Sequence, residues 1–182
     1  MSSKIYYFKP VQKTVSFLCN RERTEIDKKV LSEEEIEEGE DRMRIVLTIP
    51  GKPFGKQRPR VTKAGIAYTP QETVNYENFI KLLYIQQYKD LKLEGALRMI
   101  IRAFYKIPKN ASKKDKKLME QNIIRPTKKP DMDNIAKIIA DALNGLAYED
   151  DKQIVEMYIS KIYAEDEFVE VVVEEVRGGE AR

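Results

Sequence analysis

An α+β domain, with helices packed on one mixed sheet, is what this sequence predicts, and three observations predict it. From Arg44 onward, runs of strand character and runs of helical character follow in the order β-α-β-α-α-β-β. One segment, Asp133 to Asn144, sets Ile135, Ile138, Ile139, Ala142 and Leu143 on a single face at 3.6-residue spacing. The last two strands are separated only by Ala164-Glu-Asp, the pattern of a hairpin.

Each element has its own signal. Arg44 to Pro50 is a β-branched run closed by proline, and Gly51-Lys-Pro-Phe-Gly-Lys-Gln-Arg-Pro-Arg60 is a loop punctuated by Gly and Pro. Thr69-Pro70 starts a helix through about Tyr88, with Val74, Phe79, Leu82, Leu83 and Ile85 as its apolar positions. Leu97 to Ile107 reads as a strand, and Ala111 to about Gln121 as a basic helix or ordered loop. The Asp133 helix stops at Asn144-Gly145, and Gln153 to Tyr163 and Glu167 to Val176 are the closing strands. Residues 1–42 read differently: the apolar stretches Ile5 to Phe8 and Val15 to Leu18 precede Ser32 and a run of glutamates, an acceptable helix start that buries little. The expected organisation is an N-terminal appendage over 1–42 and one domain over 43–182.

Composition narrows the chemistry. The chain has no histidine and one cysteine, Cys19, so a Ser-His-Asp triad, a Cys-His pair, a histidine metal ligand and an internal disulfide are all excluded. Any catalysis rests on carboxylates, lysines, tyrosines and a hard metal that carboxylates can hold. No long apolar run and no signal-peptide pattern occurs, so the expected address is the cytoplasm, with no membrane partner. Net charge is only +3, yet charge is segregated. Nine basic residues against two acids lie between Tyr105 and Pro130, and Lys52 to Lys63 contains no acid. Acids gather in Glu22 to Asp41 and Glu165 to Glu175. The basic stretches read as phosphate-contacting surfaces or as plain solvated faces. Lys56, Arg58 and Arg60, at alternate positions among Gly and Pro, are the better backbone contacts, together with Arg125, Lys128 and Lys129. Tyr68 and Tyr76 read as stacking or, more commonly, core residues.

Two acidic groups carry the strongest chemical signal. Asp131-Met-Asp133-Asn134 leads into the clearest helix, and Glu149-Asp150-Asp151-Lys152 precedes the next strand. Asp133 also reads as a helix N-cap and Asp150-Asp151 as a solvated turn. Hard carboxylate oxygens are what Mg2+ or Mn2+ require, and a few of them with open coordination sites suit phosphodiester hydrolysis. Lys137, four residues after Asp133, is placed to stabilise the phosphate or leaving oxygen, or to pair with Asp133 or Asp141. The intervening helix spans roughly 18 Å at about 1.5 Å per residue. The two groups therefore meet only if Leu146 to Asp151 folds back along it, or if they come from facing subunits.

These residues resemble a known family. Lys129-Pro-Asp-Met-Asp-Asn-Ile-Ala-Lys137, Asp141-Ala-Leu-Asn-Gly145 and Glu149-Asp-Asp-Lys-Gln-Ile154 together are similar to the RusA-type Holliday junction resolvases common in prophages and bacteria. The Gly51 to Arg60 loop and Tyr68-Thr-Pro70 resemble phage-type members, and the likeness runs from about Ile45 to Val176. The resemblance implies a RusA-like fold, a homodimer with two active sites, Mg2+ dependence, and paired symmetric nicks across a four-way DNA junction. It assigns metal ligation to Asp131, Asp133 and Asp151, with Asp150 a substitute ligand, and an essential basic role to Lys137. Its main rival is a non-catalytic branched-DNA-binding protein of the same fold. A nucleotide-sugar transferase using Asp-x-Asp would have no reason for two basic segments.

Overall fold

The computed structural model describes residues 43–176. The expected appendage over 1–42, with Cys19 and the helix start at Ser32, lies outside them.

Strand β1 (Arg44–Pro50) buries Ile45, Leu47 and Ile49 at alternate positions, as a half-buried strand must. A two-residue pair follows that no strand signal announces, β2 (Arg60–Val61) against β3 (Ala67–Tyr68), wholly exposed. Helix α1 (Gln71–Tyr88) has Pro70 at its N-cap position. Strand β4 (Leu97–Lys106) follows, then the short helix α2 (Lys113–Glu120), where Ser112 Oγ accepts the Asp115 N–H at 3.1 Å. Helix α3 (Met132–Leu143) ends before Gly145, which takes φ 73°. A single 3-10 turn (Asp151–Gln153) leads into β5 (Ile154–Ala164), and β6 (Phe168–Glu175) completes the domain.

The sheet order is β1-β6-β4-β5, with β4 parallel to β5 and antiparallel to β6. This corrects the hairpin expectation. Strands β5 and β6 are consecutive, but β4 lies between them, with Lys106 opposite Ala164 on one side and Phe104 opposite Phe168 on the other. The reason is burial: Met99, Ile101, Ala103 and Tyr105 are fully buried on one face of β4 and Ile100 is nearly so on the other. A strand apolar on both faces belongs in the middle of a sheet.

The core forms where Ile45, Leu47 and Ile49, the odd-numbered β4 residues, and Val169, Val171 and Val173 of β6 meet Ile80 and Tyr84 of α1 and Ile135, Ile138, Ile139, Ala142 and Leu143 of α3. Helix α3 behaves as expected; α1 does not. Its buried positions are Thr73, Ile80 and Tyr84, while Phe79, Leu82 and Ile85 face outward. Apolar residues surround this helix, so periodicity singles out no face, and the Tyr84 hydroxyl, which donates to the Leu91 carbonyl, settles which side goes in. On the opposite face of the sheet, Arg98 bridges Glu156 (2.5 Å) and Glu174 (3.2 Å), and Arg102 pairs with Glu170 (2.9 Å) across strands. No helix among the described residues is long and apolar enough to cross a membrane.

Burial pushes the phenols of Tyr76, Tyr84 and Tyr105 up to about 12, and Tyr148 higher still, with the charges of Asp151 and Asp141 adding to the last. A folded-state pKa raised above the ordinary value of 10.0 contributes stability that is complete below pH 10 and lost as pH climbs through about 12. The expected result is one alkaline transition in which tyrosinate absorbance and loss of helical circular dichroism rise together in that window. Ionisation of all ten tyrosines near pH 10 with the helices intact would contradict it.

Candidate active site

Helix α3 delivers the first acidic group. The sequence places the helix start, and a reading as N-cap, at Asp133; the structure starts the helix one residue earlier, at Met132, and puts the N-cap at Asp131. Asp131 holds the N-cap position in an extended conformation (φ −72°, ψ 153°), and its carbonyl accepts the Ile135 N–H at 3.1 Å. Its carboxylate caps nothing. An Asp cap typically contributes about 1 kcal/mol, so leaving it unused is a local cost of the kind functional positions carry. Asp133 lies in the first turn, exposed, and among the described residues its one hydrogen bond is from Asn134 Nδ2 at 3.4 Å. Both carboxylates sit in the positive field of the helix N-terminus.

Lys137 is exposed and makes no ion pair among the described residues. Neither of its expected partners on α3 takes it up. Asp141 is engaged instead by Lys56, whose ammonium also donates to Glu77 Oε1 at 2.9 Å. Lys56, read from sequence as an outward phosphate contact, is thus bound inward by two carboxylates. Burial opposes its charge, but the hydrogen bonds and attraction of Asp141 and Glu77 outweigh that and hold its pKa above the ordinary lysine value.

The loop around Lys56 is wedged against α3. The Lys56 N–H donates to the Asn134 carbonyl at 2.9 Å, and Phe54 packs on Tyr76 with ring centroids 5.2 Å apart. Gly55 has no room for a side chain: a Cβ there would lie 2.6 Å from Pro130 Cβ and 3.0 Å from Asn134 Cβ. The sequence assigns no contact to Gly55, Asn134 or Glu77. The glycine's place in the Gly-Pro loop and the asparagine's place in the acidic motif are their signals; Glu77 has none.

At the second acidic group the two aspartates part company. Asp150 Oδ1 accepts the Lys152 N–H at 3.0 Å, and Gln153 Oε1 returns the favour to the Asp150 N–H at 3.1 Å. The Lys152 N–H, followed by the Lys152 charge, holds the Asp150 carboxyl below its usual range. Asp151 is exposed; its side chain meets that of Asp150 and takes no backbone N–H of the turn. The turn therefore draws on the Asp150 carboxylate, which the sequence offers as a substitute ligand, while Asp151 stays exposed and forms no ion pair among the described residues.

Within one chain the two groups do not converge. Residues 144–148 double back only far enough for the Tyr148 hydroxyl to reach the Ala140 carbonyl at 2.8 Å. Helix α3 runs from the end of β4 back to the start of its parallel neighbour β5, so Asp131 and Asp151 lie towards opposite ends of the crossover. Among the described residues no group of three or more acidic side chains is gathered closely enough to hold a metal. The donor chemistry of Asp131 and Asp133 still fits a hard divalent cation. Mg2+ is commonly held by one or two carboxylates, with water and substrate phosphate completing the shell.

The basic candidates divide as well. Arg58, Arg60 and Lys129 are exposed and unpaired among the described residues. Lys128 lies over the rings of Tyr105 (5.0 Å) and Tyr163 (5.8 Å). Arg125 spends its Nε on the Asn122 carbonyl at 2.9 Å. Lys161, which reads in sequence as an ordinary strand residue, joins this group by donating to the Lys128 carbonyl at 3.0 Å. Tyr68 is exposed and Tyr76 half-buried.

The family model described as endodeoxyribonuclease RusA matches residues 50–174, which contain every candidate residue above. A Bacillus subtilis (strain 168) protein called "Uncharacterized protein YqaN" is 35% identical over 137 residues, covering 72% of this chain and 96% of that protein.

Proposed function

Because this chain belongs to the endodeoxyribonuclease RusA family, we propose that it is a Mg2+-dependent endonuclease that resolves four-way DNA junctions by paired symmetric nicks. RusA-family nucleases bind branched DNA and depend on divalent metals. The observation that carries the reading is selective availability. Asp131, Asp133, Lys137 and Asp151 are exposed and form no ion pair among the described residues, while their neighbours Lys56, Asp141 and Asp150 are consumed by internal contacts.

Asp131 and Asp133 hold the cation, Mg2+ or in its place Mn2+. When bound, it supplies Lewis-acid polarisation of the scissile phosphate and acidifies water for in-line attack. Lys137 presents positive charge to the phosphate as negative charge builds on its oxygens. Arg58, Arg60, Lys128 and Lys129 contact the phosphate backbone. Asp151 reaches the other two aspartates from a second copy of the chain, so the working unit is a homodimer with two composite sites.

Cleavage of a labelled four-way junction beside matched linear duplex, with Mg2+ and with EDTA, tests the activity. Paired nicks on the junction alone, lost with EDTA, are the expected result; metal-independent binding without nicking would make this a branched-DNA-binding relative instead. Mixing Asp131→Asn with Asp151→Asn tests the shared site. Each variant alone is inactive, and exchanged dimers regain one intact site; no regain after demonstrated exchange would place all the ligands in one chain. For the basic surface, Lys128→Ala and Lys129→Ala should each flatten the dependence of log binding constant on log salt by about one unit.

A further inference from the structure

We propose that Lys56 is a positioning residue for the cleavage reaction, which keeps Lys137 available to the phosphate by occupying the carboxylate that would otherwise capture it. This inference rests on the nuclease reading above.

Asp133, Lys137 and Asp141 are spaced four residues apart along α3 and so share one face. Left to itself, an ammonium between two carboxylates at that spacing pairs with one of them. Here it pairs with neither. Asp133, exposed in the first turn, meets the Asn134 amide at 3.4 Å rather than Lys137. Asp141 is taken from the far side by Lys56, 85 residues away in sequence, with Glu77 of α1 as the second acceptor. The three side chains are each roughly three-quarters buried, at 25%, 18% and 27% exposure, so the cluster is shielded more than a surface pair and holds its carboxylate more firmly. The Lys56 N–H on the Asn134 carbonyl fixes the same loop to the helix one turn before Lys137. Removing the Lys56 charge would leave Asp141 and Glu77 as two partly buried carboxylates without a counter-ion. The nearest free cation on the same helix face is Lys137.

Lys56→Met, which keeps the length of the side chain and removes its charge, should lower kcat about fivefold to tenfold with little change in KM. Junction affinity and its salt slope should stay as in the wild type. Lys56→Arg should retain most activity. The decisive variant is Lys56→Met/Asp141→Asn, which has no carboxylate to capture Lys137 and should return to within about twofold of Asp141→Asn alone. A purely structural clamp gives the opposite, since the double variant removes still more of the cluster. The reactivity of Lys137 toward an amine-acylating reagent, read by peptide mass spectrometry, follows the same logic without any cleavage: it falls in Lys56→Met and recovers in the double variant.

A salt slope about one unit shallower in Lys56→Met would make Lys56 a phosphate contact and overturn the proposal. So would a double variant no better than Lys56→Met, or Lys137 reactivity indifferent to Lys56. Failure of the wild type to cut junctions would instead refute the nuclease reading, and the acylation measurement would still decide the role of Lys56.

Discussion

Asp131→Asn leaves a protein that binds four-way junctions and does not cut them, with the cutting rate down by about 10²-fold to 10³-fold or more. The size of the effect follows from what the substitution keeps. Asparagine is as good an N-cap residue as aspartate, so Met132 to Leu143 starts as before, and the carboxylate lost was not capping the helix in any case. The core residues Ile135, Ile138 and Ile139 are untouched. What disappears is a hard anionic oxygen, and a neutral amide is a poor ligand for a hard cation. Junction titration in EDTA, thermal melting and cleavage in Mg2+ measure the three properties separately. Loss of binding or of folding alongside cutting would sink the assignment of Asp131. Asp150→Asn is the internal control: its carboxylate serves the turn before β5, so it should loosen that turn and leave cutting far less affected.

Gly55→Ala strikes both stability and activity. The added methyl would meet Pro130 Cβ at 2.6 Å and Asn134 Cβ at 3.0 Å, atoms anchored next to the backbone that cannot swing aside as a long side-chain tip would. Overpacking of this kind typically costs about 1–3 kcal/mol. The displaced residues flank Asp131 and Asp133, so relief of the clash moves the carboxylates proposed to hold the cation. Cutting should therefore fall by more than the melting temperature alone explains, with the Mg2+ concentration for half-maximal rate raised. Unchanged melting and unchanged Mg2+ dependence would mean that the loop is not wedged against α3. Gly65→Ala offers a contrast. There φ is 80° and nothing lies within 4 Å, so only backbone strain far from α3 is expected.

Much of this was readable in one dimension because it depends on local pattern. The spacing of Ile135, Ile138, Ile139, Ala142 and Leu143 predicts α3, and a β-branched run closed by proline predicts β1; both form within two residues of the expected bounds. The aspartates stood out through residue chemistry and through their likeness to a family. What was not readable is how distant residues commit one another. Nothing near Lys56 in sequence announces that it will be claimed by Asp141. Nothing in Asp150-Asp151 says which member the turn will consume, since either can cap. The hairpin signal between β5 and β6 was sound locally and lost to a longer-range demand, the need of β4 for neighbours on both edges. In α1 a helix with apolar residues on every side gave no preferred face until its partners existed.

The placement of β6 bears on how the domain comes into being. This last strand is hydrogen-bonded to both β1 and β4, and is what joins the first strand of the domain to the rest of the sheet. A ribosome that has released α3 has already exposed Asp131, Asp133 and Lys137, yet the sheet on which α3 rests lacks a middle strand until Phe168 to Glu175 emerges. Pairings between such distant segments close late and slowly. A nascent or truncated chain therefore displays the acidic helix without the frame that holds it, and the proposed cleavage chemistry has its full support only once β6 is in place.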